Sequence, residues 1–72
     1  MRVYHMLDQV VIGEVYRNKK NKQFYRVESI GLHTELKEIT VHYKPLYKSE
    51  YDDYYRPLND PDKGFKVKFE EA

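Results

Sequence analysis

The sequence has no cysteine and no tryptophan, and it contains only three glycines and three prolines among 72 residues. Without cysteine the chain can form neither a disulfide bridge nor a thiolate zinc site. Its three histidines lie far apart and lack the close spacing that metal-binding motifs show. We therefore expect the protein to use neither a metal nor another cofactor.

The sequence also lacks an excess of charge of one sign. Thirteen basic and twelve acidic side chains give a formal net charge of +1, whereas generic nucleic-acid binding depends on clustered cations. No hydrophobic run is long enough for a membrane span, and the first seven residues lack the apolar segment of a signal peptide. These absences predict a cytoplasmic protein that binds neither membranes nor nucleic acid in general.

Tyrosine is abundant, with eight residues, five of them between Tyr43 and Tyr55. A phenol combines an apolar ring with a polar hydroxyl, so it can fill a small core or face a partner. Tyr16, Tyr25 and Tyr43 lie in alternating segments and are predicted to pack in the core. Tyr47 and Tyr55 lie in or beside a loop, where recognition is more common.

Alternating apolar and polar residues predict five short strands, over residues 13–18, 23–31, 39–44, 54–56 and 65–69. In the second strand, strict alternation places Ser29 on the same face as Tyr25 and Val27. Pro45 and Pro57 are expected to end strands. The pattern predicts an all-β domain over residues 13–72, either a five-stranded SH3-like barrel or a strongly bent antiparallel sheet, preceded by an N-terminal arm over residues 1–12.

An ordered set of short motifs resembles the small bacterial and phage domain known as domain of unknown function 1653. The motifs are Gly-x-x-Tyr-Arg from Gly13, Tyr-x-Val from Tyr25, His-Thr-Glu from His33, Val-x-Tyr from Val41, Leu-Tyr from Leu46 and Tyr-Arg-Pro from Tyr55. Together they cover about the middle three quarters of the chain. The resemblance implies a compact β-barrel-like fold and no established activity.

The chain departs from that family's pattern at three positions. Asn18 stands where the pattern has a histidine, Leu36 where it has a threonine, and Lys48 where it has a glycine. The role of that histidine and of that threonine hydroxyl therefore cannot be transferred to this chain, and the loop after Tyr47 is expected to follow a different path.

Seven residues are candidates for a binding site. His33, Thr34 and Glu35 join an imidazole, a hydroxyl and a carboxylate at a turn, although Thr34 and Glu35 could equally shape the turn through backbone hydrogen bonds. Arg17 and Arg56 each follow a tyrosine and offer paired donors for an anion, or they could pair internally, for example with Glu35 or Glu38. The remaining candidates are Tyr47 and Tyr55.

Three functions are compatible with these residues. We favour a binding module without enzymatic activity, whose tyrosine- and arginine-lined face holds an anionic or planar small molecule, a nucleotide or a peptide. The first alternative is a structural or protein-interaction domain that acts as a homodimer, because the core must be thin. The second alternative is a small hydrolase that uses His33 and Glu35.

Overall fold

The computed structural model describes residues 7–72 and contains five β-strands and one short helix. The elements in chain order are β1 (Val15–Asn18), β2 (Phe24–His33), β3 (Glu38–Pro45), β4 (Tyr54–Pro57), α1 (Phe65–Lys68) and β5 (Phe69–Glu71). As the sequence predicts, β3 ends at Pro45 and β4 ends at Pro57. None of the helices in residues 7–72 has the length and apolar character needed to cross a membrane.

The strands form one antiparallel sheet in the order β4-β3-β2-β1-β5. Its centre is the long hairpin of β2 and β3, and the two edge strands, β4 and β5, do not pair with each other. The prediction of a small all-β fold is therefore confirmed. The sheet is not closed, so it takes the form of a strongly bent sheet and not of a barrel.

The core is a thin layer on the inner face of this sheet, built mainly from aromatic rings. Its buried side chains are those of Tyr16, Tyr25, Val27, Val41, Tyr43, Phe65 and Phe69, so the predicted core positions of the three tyrosines are confirmed. Tyr25 lies edge-on to the rings of four neighbours, namely Tyr43, Tyr47, Tyr54 and Phe69. Burial, together with the hydrogen bond to Tyr47, raises the pKa of Tyr25 to about 12, so its phenol stays neutral at physiological pH.

A β-bulge interrupts the pairing of β2 with β3. Val27 lies opposite Tyr43 and Ser29 lies opposite His42, so Glu28 has no partner of its own. From Ser29 onward the two faces of β2 are exchanged relative to strict alternation, and Ile30 packs against the core opposite Val41. Ser29 therefore does not share a face with Tyr25 and Val27, as strict alternation predicts, and its side chain faces outward.

The strand predicted over residues 65–69 is wrong over most of its length. Residues Phe65–Lys68 form one helical turn, and the strand begins at Phe69. In a strand, residues four positions apart are about 13 Å apart, whereas one helical turn brings them together. The rings of Phe65 and Phe69 are both buried and stack with centroids 4.0 Å apart, which only the helical turn allows.

Part of the predicted N-terminal arm contacts this core. The Leu7 amide donates a hydrogen bond to the Lys66 carbonyl at 3.0 Å, and the Val11 amide donates one to the Tyr16 hydroxyl at 2.9 Å. Leu7 and Val10 pack against the core cluster. Residues 1–6 of the arm lie outside the described residues.

Substitutions of Gly64 and Gly31 are predicted to change stability in opposite directions. A Cβ on Gly64 would lie 2.4 Å from the Asp60 carbonyl oxygen and 2.9 Å from that of Leu58, whereas a Cβ on Gly31 would meet nothing within 4 Å. We expect Gly64→Ala to lower the free energy of unfolding by about 1–3 kcal/mol. Gly31→Ala should leave it unchanged or raise it by about 0.4–1 kcal/mol. Urea denaturation measures both variants, and equal midpoints would contradict the tight approach at Gly64.

Deletion variants test the bulge. Without Glu28, Ser29 follows Val27 directly and falls into the regular alternation, so this variant should keep cooperative unfolding and the outward position of Ser29. Deleting Arg26, an exposed residue in the regular part of β2, forces a core side chain to the wrong face and should cost about 2–5 kcal/mol. Similar losses for the two deletions in thermal unfolding would show that Glu28 is not the extra residue.

Candidate functional site

The outer face of the sheet carries a row of polar and aromatic side chains. In the strand register Ser29 of β2 lies opposite His42 of β3, which in turn lies opposite Tyr55 of β4. Gly31 and Thr40 form the next pair on the same face. The bulge at Glu28 places Ser29 in this row, because strict alternation would turn it toward the core.

These residues surround an open cavity of about 250 Å³, which we call the outer cleft; it is lined by Ser29, Gly31, Leu32, His33, Thr40, His42 and Tyr55. Gly31 carries no side chain, and nothing fills the space where its Cβ would lie. The strand backbone therefore forms the floor of the cleft, where any other residue would place a side chain.

His42 is the most highly connected residue of the outer cleft. Its imidazole stacks on the Tyr55 ring with centroids 4.7 Å apart and an angle of 12° between the planes. Its Nε2 lies 2.7 Å from Asp53 Oδ1, and its Nδ1 lies 3.3 Å from Ser29 Oγ. Because a carboxylate only accepts hydrogen bonds, Nε2 carries a proton that it donates to Asp53. In the neutral imidazole this leaves Nδ1 to accept from the Ser29 hydroxyl.

The Asp53 carboxylate joins two cationic or ionisable neighbours on the outer face. Besides His42, the Lys44 ammonium nitrogen lies 3.7 Å from Asp53 Oδ1. The hydrogen bond from His42, helped by the charge of Lys44, holds the pKa of the Asp53 carboxyl below its usual value. Asp53 is therefore ionised at neutral pH and fixes the protonated nitrogen of His42.

Two of the seven predicted binding residues, His33 and Tyr55, line the outer cleft. His33 ends β2, and its Nδ1 accepts a hydrogen bond from the Leu36 amide at 3.2 Å, which leaves Nε2 as the protonated nitrogen. Thr34 and Glu35 are exposed in the turn that follows. Within residues 7–72, the hydrogen bond of the His33 ring is made with the Leu36 backbone amide and not with the Glu35 side chain.

The predicted arginines lie on opposite faces of the sheet. Arg17 is on the outer face, where its Nε donates to Glu70 Oε2 at 2.7 Å, and this bond lowers the pKa of the Glu70 carboxyl. Arg56 lies over the core, where its Nη1 donates to the Lys63 carbonyl at 2.9 Å and its guanidinium carbon is 5.9 Å from the centre of the Phe69 ring. The structure does not bring these two arginines together.

Tyr47 also lies away from the outer cleft. It is half-buried beside the core, and its hydroxyl lies 2.6 Å from that of Tyr25. The seven predicted residues therefore divide between the cleft, the turn after it, the core and the β1–β5 edge. A binding role for each of them stays a prediction.

Comparison of the chain with known protein families, with curated proteins and with solved structures finds no match. The resemblance to domain of unknown function 1653 therefore stays a prediction, and the geometry of the chain carries the functional argument. Among residues 7–72 no group of three or more His, Asp or Glu side chains is arranged to hold a metal ion.

The prediction from sequence missed Ser29, Thr40, His42 and Asp53 as site residues. Alternation already placed Thr40 and His42 on the outer face of β3, but it contains no information on which residues of β2 and β4 lie beside them. The phase change in β2 was visible, since apolar residues fall at Tyr25 and Val27 and then at Ile30 and Leu32. That change of phase is the signal that could have identified Ser29.

The pKa of Asp53 makes a prediction for acid stability. A carboxyl whose pKa is lowered in the folded protein stabilises it above its usual pKa, about 4, and this contribution disappears as the pH falls through the folded value. Acidification should therefore reduce the free energy of unfolding more in the natural chain than in Asp53→Asn. Asp60 and Glu70, whose pKa values are also lowered, are the same in both proteins. Urea denaturation at a series of pH values measures this. An equal loss of free energy of unfolding in both proteins would contradict the interaction of Asp53 with His42 and Lys44.

Proposed function

We propose that this chain is a small binding module that holds a planar, anionic ligand in the outer cleft, with nucleoside monophosphates as the ligand class. The observation that carries the proposal is the stacked pair of His42 and Tyr55 beside a cleft floored by Gly31. Tyr55 is 68% exposed although it lies in a paired strand. An exposed aromatic side chain next to an open cavity is typical of recognition surfaces.

The stacked pair suits a flat ring. His42 holds the Tyr55 ring from one side, and Asp53 in turn holds the imidazole, so the platform is formed before a ligand arrives. Aromatic platforms of this kind bind nucleic-acid bases by stacking, which contributes about 1–3 kcal/mol per base. A ligand that finds a preformed platform loses less affinity to the ordering of side chains.

The polar groups of the outer cleft suit a ligand with hydrogen-bonding edges. Ser29 and Thr40 contribute hydroxyls, and His33 contributes an imidazole whose Nε2 carries a proton. No carboxylate is among the lining residues. The cleft therefore offers hydrogen bonds, and the ionised Asp53 carboxylate next to His42 is paired with that imidazole and with Lys44.

Positive charge adjoins the cleft on the same face. Arg26 lies opposite Lys44 in the β2–β3 register, next along the outer face to the row that contains Ser29 and His42. Among the salt bridges of residues 7–72, Lys44 contacts Asp53 and none involves Arg26. A guanidinium suits a phosphate group through paired hydrogen bonds. The proposed ligand would stack its base beside Tyr55 and place its phosphate near Arg26.

This proposal retains the binding-module prediction and changes its residues. His33 and Tyr55 remain in the site, whereas Arg17 and Arg56 are replaced by Arg26 and Lys44 as the source of positive charge. A cytoplasmic location belongs to the same proposal. Homodimer formation and hydrolysis through His33 and Glu35 stay predictions that sedimentation and activity assays test.

A titration with adenosine monophosphate, followed by amide chemical shifts, tests the site. We expect saturable shifts at Gly31, Thr40 and His42, and a loss of affinity of about 5–100-fold in Tyr55→Ala, which corresponds to one stacking contact. Tyr51→Ala is the matched control, because Tyr51 is also exposed, at 61%, but does not line the outer cleft. Its affinity should stay within about twofold.

A second variant separates binding from folding. Gly31→Val fills the floor of the outer cleft with a residue that favours strands, at a position where a Cβ meets nothing within 4 Å. It should keep or raise the melting temperature and abolish the shifts. The proposal is refuted if millimolar nucleoside monophosphates leave the cleft amides of the natural chain unshifted, or if Gly31→Val binds them as well as the natural chain does.

A further inference from the structure

Three side chains of the outer face form a chain of hydrogen bonds from a hydroxyl to a carboxylate. Ser29 Oγ lies 3.3 Å from His42 Nδ1, and His42 Nε2 lies 2.7 Å from Asp53 Oδ1. A nucleophile, a base and a residue that orients the base are the parts that serine hydrolases use. Here they come from three separate elements, β2, β3 and the loop before β4.

The protons in this series of hydrogen bonds are placed as catalysis requires. Asp53 accepts the proton of Nε2, so Nδ1 of the neutral ring can accept the proton of Ser29. The orientation of the imidazole is reversed relative to serine proteases, in which Nε2 faces the serine. The separation of 3.3 Å is slightly longer than a strong hydrogen bond, as is common in the absence of substrate.

A substrate could reach Ser29 and His42 through the outer cleft. Ser29 and His42 both line the outer cleft, and Ser29 is exposed. Stacking on Tyr55 restricts rotation of the imidazole. An ester whose carbonyl carbon enters the cleft beside Ser29 would lie within reach of both the nucleophile and the base.

We infer that Ser29 is an activated nucleophile and that the chain transfers acyl groups from carboxylic esters to it. The Ser29 oxygen attacks the carbonyl carbon and forms the new C–O bond, while its proton passes to His42 Nδ1. The bond to the leaving alkoxide breaks, and the alkoxide takes that proton from His42 to leave as an alcohol. Water then attacks the acyl group by the reverse proton path and releases a carboxylic acid and free Ser29.

The expected reactivity is modest because the site is open to solvent. The side chains of His42 and Asp53 are 23% and 45% exposed, so water weakens the hydrogen bond that orients the base. General-base assistance contributes about 10²–10⁴-fold. We expect the lower end, about 10²-fold, for Ser29 over an unassisted serine. This reactivity requires no nucleotide, so the two proposals fail independently of each other.

The test is acylation of the whole chain by 4-nitrophenyl acetate, followed by peptide mass mapping. The chain has one other serine, Ser49, which contacts the Tyr54 hydroxyl and serves as the internal control. Acetylation of Ser29 should be about 10²-fold faster than that of Ser49. Equal rates at the two serines, or acetylation confined to lysines, would overturn the inference.

Two variants assign the roles of the other residues. His42→Gln should reduce acetylation of Ser29 to the rate of Ser49. Asp53→Asn changes an exposed residue, and amide spectra will show whether the fold is kept; it should slow acetylation of Ser29 about tenfold by removing the carboxylate that sets the tautomer. Acetylation of Ser29 at an unchanged rate in folded Asp53→Asn would overturn the assignment, even if His42→Gln failed to fold.

Discussion

Glu28, the residue of β2 that has no partner in β3, determines which side chains of β2 lie on each face of the sheet. Before Glu28, the inward residues of β2 are Tyr25 and Val27, and after it the inward position passes to Ile30. The same shift turns Ser29 outward and sets it opposite His42. Because side chains alternate with a period of two, no smaller change could exchange the faces within one strand. The core and the outer cleft therefore depend on the same irregularity.

The buried core lies on the inner face of the sheet, and the outer cleft lies on the other face. Rings from all five strands, from α1 and from the loop residue Tyr47 form the inner layer, and Tyr25 contacts four of them edge-on. The stacked pair of Phe65 and Phe69 covers the middle of the inner face without a second sheet. A small domain buries a limited fraction of its surface, and here that burial is concentrated on one side. His42 and Tyr55 lie on the other face, where the Tyr55 side chain is largely exposed.

Alternation along the sequence was sufficient to predict most strands. It failed at residues 65–69, where the apolar residues fit both the period of a strand and that of a helical turn. Residues 65, 67 and 69 alternate as a strand would, but Phe65 and Phe69 also have the spacing of a helical turn, and close stacking of the two rings favours the turn. Predicting the site from sequence would have required the register between strands as well as the alternation within each strand. Strand register between β2, β3 and β4 brings Ser29, His42 and Tyr55 together, and register depends on contacts between residues distant in sequence. For the same reason, the sequence could not show whether Arg17 and Arg56 lie on the same face of the sheet.

The pairing around Glu28 is the point on which both the core and the outer cleft depend, and proton NMR measures it directly. Cross-strand nuclear Overhauser effects should connect Ser29 with His42 and Ile30 with Val41, as the bulged register requires. An uninterrupted ladder would instead connect Glu28 with His42 and Ser29 with Val41. That second set of contacts would place Ser29 in the core and contradict the account of the site given above.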